Sequence, residues 1–345
     1  MKKELLLASA LVSTMGVASV AEAVTATMSG MHATGLRGDD TDAAGDSIIA
    51  NPASSDFTVS LSETTDGGVG IATSFMLANE SGATHTAGLT LTFTDGSKLD
   101  VINGGNAAKS HDVSVPGGAG SAGVTVTSTN NAQTGLDFFG EATAVGVEWH
   151  SAADFMADGL KISASVSFDD GAAADGSVEL ESGWGVGATY VTSAGDTAVT
   201  IGAGIADSEA KDSGNDVDGS NGFHIGFSAV TGDLTVAAAY ADGDKIIPTG
   251  EKAIYNNTVT KLGVKYVAGD VTLSAGFTNA EGDDGTLTAV GGSMDSQDIT
   301  ELGVSYAVAS GVTANLGFKD IDAQNEGAAD TTGGSSWYVG ATMSF

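Results

Sequence analysis

The chain has 345 residues, of which 50 are Gly, 3 are Pro and none is Cys, and its 12 Lys plus Arg stand against 44 Asp plus Glu for a net charge of −32. The missing cysteines exclude a disulfide or thiolate-zinc scaffold, and the acidity excludes a nucleic-acid binder, because phosphates are repelled. A hydrophobic content of 41% is too high for charge-driven disorder, and the length fits two ordinary domains or one large all-β unit.

Lys2 and Lys3 precede an apolar run from Leu5 to Val20, and Ala21-Glu22-Ala23 supplies small residues for cleavage. Residues 1–23 therefore read as a secretory signal peptide. A membrane anchor is the alternative reading, but the run is shorter than the ~20 residues of a spanning helix. The leader's two lysines cancel Glu4 and Glu22, so its removal leaves the net charge unchanged.

From residue 24 onward, helix signals give way to period-2 alternation. Leu160-Lys161-Ile162-Ser163-Ala164-Ser165-Val166-Ser167-Phe168 has one wholly apolar face and one polar face, and 271–277, 314–318, 89–93 and 262–266 repeat the pattern. In chain order, strands are expected near 24–36, 56–64, 69–79, 87–94, 97–103, 143–151, 160–169, 178–192, 196–206, 220–230, 233–241, 258–268, 270–279, 297–309, 311–320 and 335–345. Every second connection is a tight Gly-bearing turn, as in Thr65-Asp66-Gly67-Gly68, Asp95-Gly96, Ala157-Asp158-Gly159, Thr231-Gly232 and Ser310-Gly311. The others are longer and rich in Asp, Gly, Asn and Ser, as in 37–55, 104–142, 207–219 and 280–296.

A soluble sandwich also alternates, but it has no reason to keep one end trimmed and the other elaborated. A sixteen-stranded, up-and-down antiparallel transmembrane β-barrel has that asymmetry, with short periplasmic turns and long external loops. Its outward rows should carry two aromatic girdles. Phe93, Trp149, Tyr190, Tyr266, Tyr306 and Phe345 fall at the turn end, and Phe75, Phe168, Trp184, Tyr240, Phe277, Phe318 and Trp337 at the loop end. Pro52, Pro116 and Pro248 are expected in long loops. Lys161, Lys265, Lys319, Glu148 and Glu301 fall on inward rows, away from lipid, where Lys or Arg costs ~2–4 kcal/mol at the midplane. Sixteen strands enclose water, whereas about eight fill with side chains.

The start Val24-Thr25-Ala26-Thr27-Met28-Ser29-Gly30, the hairpin from Phe57 to Ala72 and the terminal strand from Trp337 to Phe345 together resemble the general porin family of Gram-negative outer membranes, in its alphaproteobacterial type. The resemblance spans residues 24–345, read as one domain. It implies a homotrimer in the outer membrane among lipid and lipopolysaccharide, and recognition of Phe345 by the barrel-assembly machinery. It also implies a loop after the fifth strand that narrows the pore. That loop is 104–142, with Asp112, Asp137 and Glu141 as its acidic candidates and Phe138-Phe139-Gly140 as its anchor. Solvated loop carboxylates are the plainer reading of each acid. The opposing arginine cluster implied by the resemblance is missing, because Arg37 is the single Arg and only lysines such as Lys98, Lys161, Lys261 and Lys265 remain.

Catalytic signals are weak. His32, His85, His111, His150 and His224 are dispersed, and no nucleophile elbow, zincin motif or P-loop occurs. Because His150 and His224 fall on lumen rows, a barrel hydrolase using an Asp–His pair stays a minor alternative. The runs Gly183-Trp184-Gly185-Val186-Gly187 and Gly202-Ala203-Gly204 lie inside strands with no helix behind them, so they are read as inward glycines that widen the lumen or ease strand curvature. Acidic stretches at 39–42, 212–218 and 281–284 offer oxygen ligands without EF-hand spacing, so no cofactor is expected beyond loose divalent cations bridging lipid headgroups. The expected function is passive diffusion of small hydrophilic solutes, with cation preference from the acidity. Two readings compete: a secreted acidic β-rich adhesion protein without a pore, and a substrate-specific channel with aromatics lining the lumen.

Overall fold

The computed structural model describes residues 24–41, 45–78, 88–101, 106–118, 132–139, 145–168, 178–212, 215–247, 252–286, 294–324 and 333–345. The expected leader, Pro248, His85, Gly140 and Glu141 lie outside them. Sixteen antiparallel strands close into one barrel in sequence order, each pairing with its chain neighbours and β16 pairing with β1. They are β1 (Thr25–Thr41), β2 (Gly45–Thr64), β3 (Gly70–Ala78), β4 (Leu89–Thr92), β5 (Lys98–Val101), β6 (Val145–His150), β7 (Leu160–Phe168) and β8 (Val178–Ala194). The second half comprises β9 (Thr197–Asp212), β10 (Asn215–Thr231), β11 (Leu234–Ile247), β12 (Lys252–Ala268), β13 (Val271–Thr286), β14 (Met294–Ala309), β15 (Val312–Gln324) and β16 (Gly334–Ser344). No helix among the described residues is long and apolar enough to cross a membrane. The only helical element among them is one 3₁₀ turn, Lys109–His111.

The short turns follow the expected chemistry. Between β8 and β9 the chain reverses through Gly195 at φ +62°, and between β10 and β11 through Gly232 at φ +55°, a conformation that costs other residues steric strain. The β6–β7 connection is the exception. It spans 151–159 rather than three residues, and Asp154 Oδ1 accepts the Gly159 N–H inside it.

At the opposite end the strands outrun the expectation. β1 continues to Thr41 and β2 restarts at Gly45, β9 reaches Asp212 with β10 starting at Asn215, and β13 runs to Thr286. Three of the segments expected as loops, 37–55, 207–219 and 280–296, are therefore mostly paired strand. The physical reason is that once a hairpin leaves the membrane its outward face meets water instead of lipid, while small inward residues such as Ser208, Ala210 and Ala280 are buried. The apolar half of the alternation disappears while backbone pairing continues. These extensions carry bulges near one height, between Asp218 and Asn221, Gly243 and Lys245, and Tyr255 and Thr258. Pro52 is likewise inside β2, at the irregularity where Ala33 pairs with Ser54 and Gly35 with Asn51. Such a bulge removes the ladder hydrogen bond that proline cannot donate.

The outward rows are apolar. Leu262, Val264, Tyr266, Leu302, Val304, Tyr306, Leu316 and Phe318 all present exposed side chains there, and Phe223 and Phe227 join the girdle residues named from sequence. Carboxylates begin directly beyond the loop-end girdle. Asp207 pairs across from Trp184, Asp242 across from Phe223, and Asp320 follows Phe318 by two residues. Part of the acidity thus faces outward at headgroup level rather than into the pore mouth. One charge, Glu63, also lies on an outward row, one residue from the turn end of β2 and opposite Ile71.

Candidate pore constriction

The row facing inward on β8, β9, β10, β12 and β13 is unusually bare: Gly185, Gly187, Gly202, Gly204, Gly226, Gly263 and Gly276. Loop backbone fills the space their missing Cβ atoms leave. A Cβ on Gly202 would strike the His111 carbonyl oxygen, one on Gly226 would come within 2.6 Å of Val113 Cβ, and one on Gly276 within 2.8 Å of the Pro116 oxygen. The outgoing arm, 106–118, crosses these strands along the inner wall and ends with Gly117 and Gly118 against Glu301. The glycines expected to widen the lumen instead form the seat of the loop, because a close backbone approach needs a wall without side chains.

Polar contacts fix the arm at its start. Ser165 Oγ accepts the Ala107 N–H at 2.8 Å, and Ser110 Oγ donates to Glu148 Oε1 at 2.6 Å. His111 bonds Thr189 Oγ1 through Nδ1 (2.7 Å) and Ser163 Oγ through Nε2 (2.8 Å). His224 Nε2 lies 2.7 Å from the Ala108 carbonyl oxygen and 3.1 Å from Asp112 Oδ1. The returning arm, 132–139, is held by Gln297 Nε2 donating to the Ala132 oxygen (2.7 Å) and by Asn257, which accepts the Gln133 N–H (2.9 Å) and donates to its carbonyl (3.2 Å).

Between arm and wall lies a dry cluster inside an otherwise wet barrel. Ala108, Ala132, Leu136, Phe138 and Phe139 of the loop pack against Ala206, Ala239, Ala241, Val259 and Ala280 of the wall. Phe139 is 1% exposed, meets Phe138 edge-on at 5.4 Å and stacks on His224 at 6.2 Å. Burying side chains of this size contributes about 1.5–3 kcal/mol each.

The sequence-selected charges divide into two groups. Asp112 and Asp137 meet on the loop, where Lys109 Nζ pairs with Asp137 Oδ2, and Lys261 of β12 is an electrostatic neighbour of Asp112, Asp137 and Glu301. On the other side of the seat, Glu148 faces Ser110, and Lys161 is a charge neighbour of His111. Arg37 and Lys265 stand apart from both groups in the register. Arg37 Nε bonds Asp39 Oδ2 at 2.8 Å on β1, and Lys265 lies two residues past Gly263 toward the turn end. Among the described strands, one aromatic does lie on an inward row. Tyr338 is 1% exposed, lies flat over Gly35 and Gly340, and donates its hydroxyl to the Thr34 oxygen.

Burial raises the Asp112 carboxyl above its ordinary value, and Asp137 adds to the rise against the opposing pull of His224, Lys109 and Lys261. For Asp137 burial also pushes upward, but the Lys109 hydrogen bond and charge outweigh it and hold the group low. Lys109 is raised in turn by that bond. His111 is lowered to about 4, first by burial and then by His150, His224 and Lys161, so its ring is neutral at pH 7.

His224, placed on a lumen row from sequence, carries the site's geometry together with His111, Ser163, Ser110 and Lys109, to which the sequence assigned no part in it. The available signal was the G-x-G runs on neighbouring strands. Glycines aligned across several inward rows mark a place where backbone, not solvent, meets the wall. Ser163, His150 and Asp100 also form a hydroxyl–imidazole–carboxylate line, with Ser163 Oγ 2.8 Å from His150 Nδ1 and His150 Nε2 3.0 Å from Asp100 Oδ2. It is no nucleophile site. Ser163 is 2% exposed and its oxygen is already engaged by His111, so no substrate carbonyl reaches it. Among the described residues no group of three or more His, Asp or Glu is arranged to hold a metal.

A closed sixteen-stranded barrel with an apolar exterior, two aromatic girdles and a polar interior partly filled by its own loop defines an outer-membrane channel. The family model described as Gram-negative porin matches residues 8–326, and the chain belongs to that family. Its place is the outer membrane. Solved structures with the same fold include the anion-selective porin from Comamonas acidovorans (12% identity, TM-score 0.65, 93% of this chain and 100% of that one). The trimer form of OmpT, an outer membrane protein of Vibrio cholerae, also shares it (16%, 0.62, 94% and 100%). So does a substituted Rh. blastica porin (16%, 0.59, 93% and 100%). No curated protein matches the chain at a significant level.

Two outcomes follow from the seat. Gly202→Ala, whose Cβ falls on the His111 carbonyl, should push the arm off the wall and change single-channel conductance, whereas Gly70→Ala, with its nearest neighbour at an ordinary 3.4 Å, should not. Equal conductance in both variants would remove the seating role. Because His111 is depressed in the folded state, its contribution is complete above pH 6.5. It declines by about 1.4 kcal/mol per pH unit between 6.5 and about 4 and then levels off. Thermal unfolding at pH 7 and pH 4 should show a smaller acid loss in His111→Gln than in the parent.

Proposed function

We propose that the protein is a passive diffusion channel for small hydrophilic solutes and ions, narrowed by the 104–142 loop and preferring cations. The observation that carries this reading is the loop seated along the glycine row of a closed barrel. A segment lying inside the lumen obstructs flux without closing it. The secreted adhesion reading gives way to the closed barrel and family membership, and the sugar-gripping reading lacks a line of lumen aromatics among the described residues.

Cation preference follows from long-range acidity rather than from the narrowing. The lumen rows mix signs: Lys98, Lys161, Lys261, Lys265 and Lys319 share them with Asp100, Glu148 and Glu301. The net charge of −32 sits mainly beyond the loop-end girdle, and its field concentrates cations at the external mouth. The fold itself does not decide the sign, since an anion-selective relative shares it.

The trimer form of one structural relative supports a homotrimer here. Phe345, whose N–H and C=O exchange bonds with Gly30 at 3.1 Å, is the residue we assign to recognition by the assembly machinery. The outward carboxylates beyond the girdle suit loose divalent cations shared with lipopolysaccharide phosphates, and no resident cofactor is needed.

Planar-bilayer recordings across a tenfold KCl gradient test the reading. A reversal potential of the sign for potassium is expected, and the chloride sign would refute the preference. In the same assay, deletion of residues 106–139 should raise single-channel conductance. An unchanged value would mean that the loop is not the narrowing.

A further inference from the structure

The narrowing loop carries its own counter-charge. Between residues 102 and 144 the chain contains one Lys and no Arg, Lys109, against Asp112, Asp137 and Glu141. Lys109 opens the 3₁₀ turn, and the two residues after it are locked to the wall, Ser110 on Glu148 and His111 on Thr189 and Ser163. Its backbone is therefore fixed. From this position its Nζ reaches across to Asp137 Oδ2 on the returning arm, while the side chain stays 65% exposed to the lumen. An exposed pair of this kind adds little to stability. Its consequence lies in the field that a passing ion feels.

Without Lys109, the loop carboxylates would be left with wall cations alone: Lys261, which Asp112 and Asp137 share with Glu301, and Lys245 beside Asp137. With it, the outgoing arm carries one charge of each sign and the returning arm's Asp137 is paired with the cation.

We infer that Lys109 is a selectivity-determining residue of the narrowing: paired with Asp137 and exposed to the lumen, it offsets one of the loop's carboxylate charges and so weakens the sign preference of the narrowing relative to the mouth. This rests on the loop being the narrowing. The consequence is a constriction whose charge sorting is muted relative to that of the mouth.

Reversal potentials of the full chain and of Lys109→Gln, Lys109→Arg, Asp137→Asn and the Lys109→Gln/Asp137→Asn double variant test the inference at about 0.1 M and about 1 M KCl. At the lower salt, Lys109→Gln should raise the cation-to-anion permeability ratio about two- to threefold, and Asp137→Asn should lower it by a similar factor. Lys109→Arg and the double variant should stay close to the parent. The differences should shrink at the higher salt, where the screening length falls from ~10 to ~3 Å. A parental ratio in Lys109→Gln at low salt would overturn the inference, and so would a double variant that behaves like Lys109→Gln. The 106–139 deletion separates the two levels. If it leaves conductance unchanged, the narrowing itself is wrong; if it raises conductance while Lys109→Gln is silent, only the role of Lys109 falls.

Discussion

Inside a bilayer no water is available to satisfy a backbone N–H or C=O, so each strand at membrane depth must be paired on both sides. Closure of β1 on β16 meets that demand and removes both sheet edges at once. Everything else is fitted to a wall whose hydrogen bonds are already spent. Outward side chains have only lipid to meet, hence the Leu, Val and aromatic rows. Inward side chains meet water or the loop. The loop is under no such backbone constraint, because its lumen side is wet and its wall side borrows hydroxyls, amides and imidazoles. Ser165, Asn257, Gln297 and His224 supply them.

The wall solves a second problem, that of holding an irregular segment against a regular surface. Glycine removes the side-chain layer where the arm lies, and the alanines at Ala206, Ala239, Ala241 and Ala280 leave shallow room for Phe138 and Phe139. The result is a small dry core of a kind usually found between layers of a soluble domain, placed here inside a channel. Polar anchors at the start of the outgoing arm and the apolar cluster under the returning arm divide the labour. Directional bonds set the position of Lys109, Asp112 and His111, and burial supplies the holding energy.

Much of this was legible in the chain. The sixteen strands, the turn glycines and the outward girdles follow from period-2 alternation, because lipid on one side and water on the other impose opposite chemistry on neighbouring residues. Two things were not. The extensions of β1, β9 and β13 have no lipid on their outward face, so Asp, Gly and Asn replace the apolar residues there and look like loop, although inward Ala210 and Ala280 are buried. The loop seat was hidden for another reason: a glycine reports missing volume but not what fills it. Gly202 and Gly204 read equally well as lumen-widening until the His111 carbonyl and the Ala108 Cα are placed beside them. Phe138 and Phe139 were expected as the loop's anchor from the family resemblance, and they do pack into the buried cluster. His111 was not, since nothing around it in sequence indicates that Ser163 and Thr189 converge on it from two separate strands.

The contact between Gly30 and Phe345 joins nearly the first described residue to the last, with Phe345 resting in the space above Gly30 and against Phe57. Loop-closure entropy for such a pairing is borne by almost the whole chain, and none of the hairpins between can substitute for it. Until that final strand docks, the nascent sheet carries two open edges, each a template for a neighbouring copy. Neither edge is therefore protected until β1 and β16, the two strands most distant in the sequence, meet.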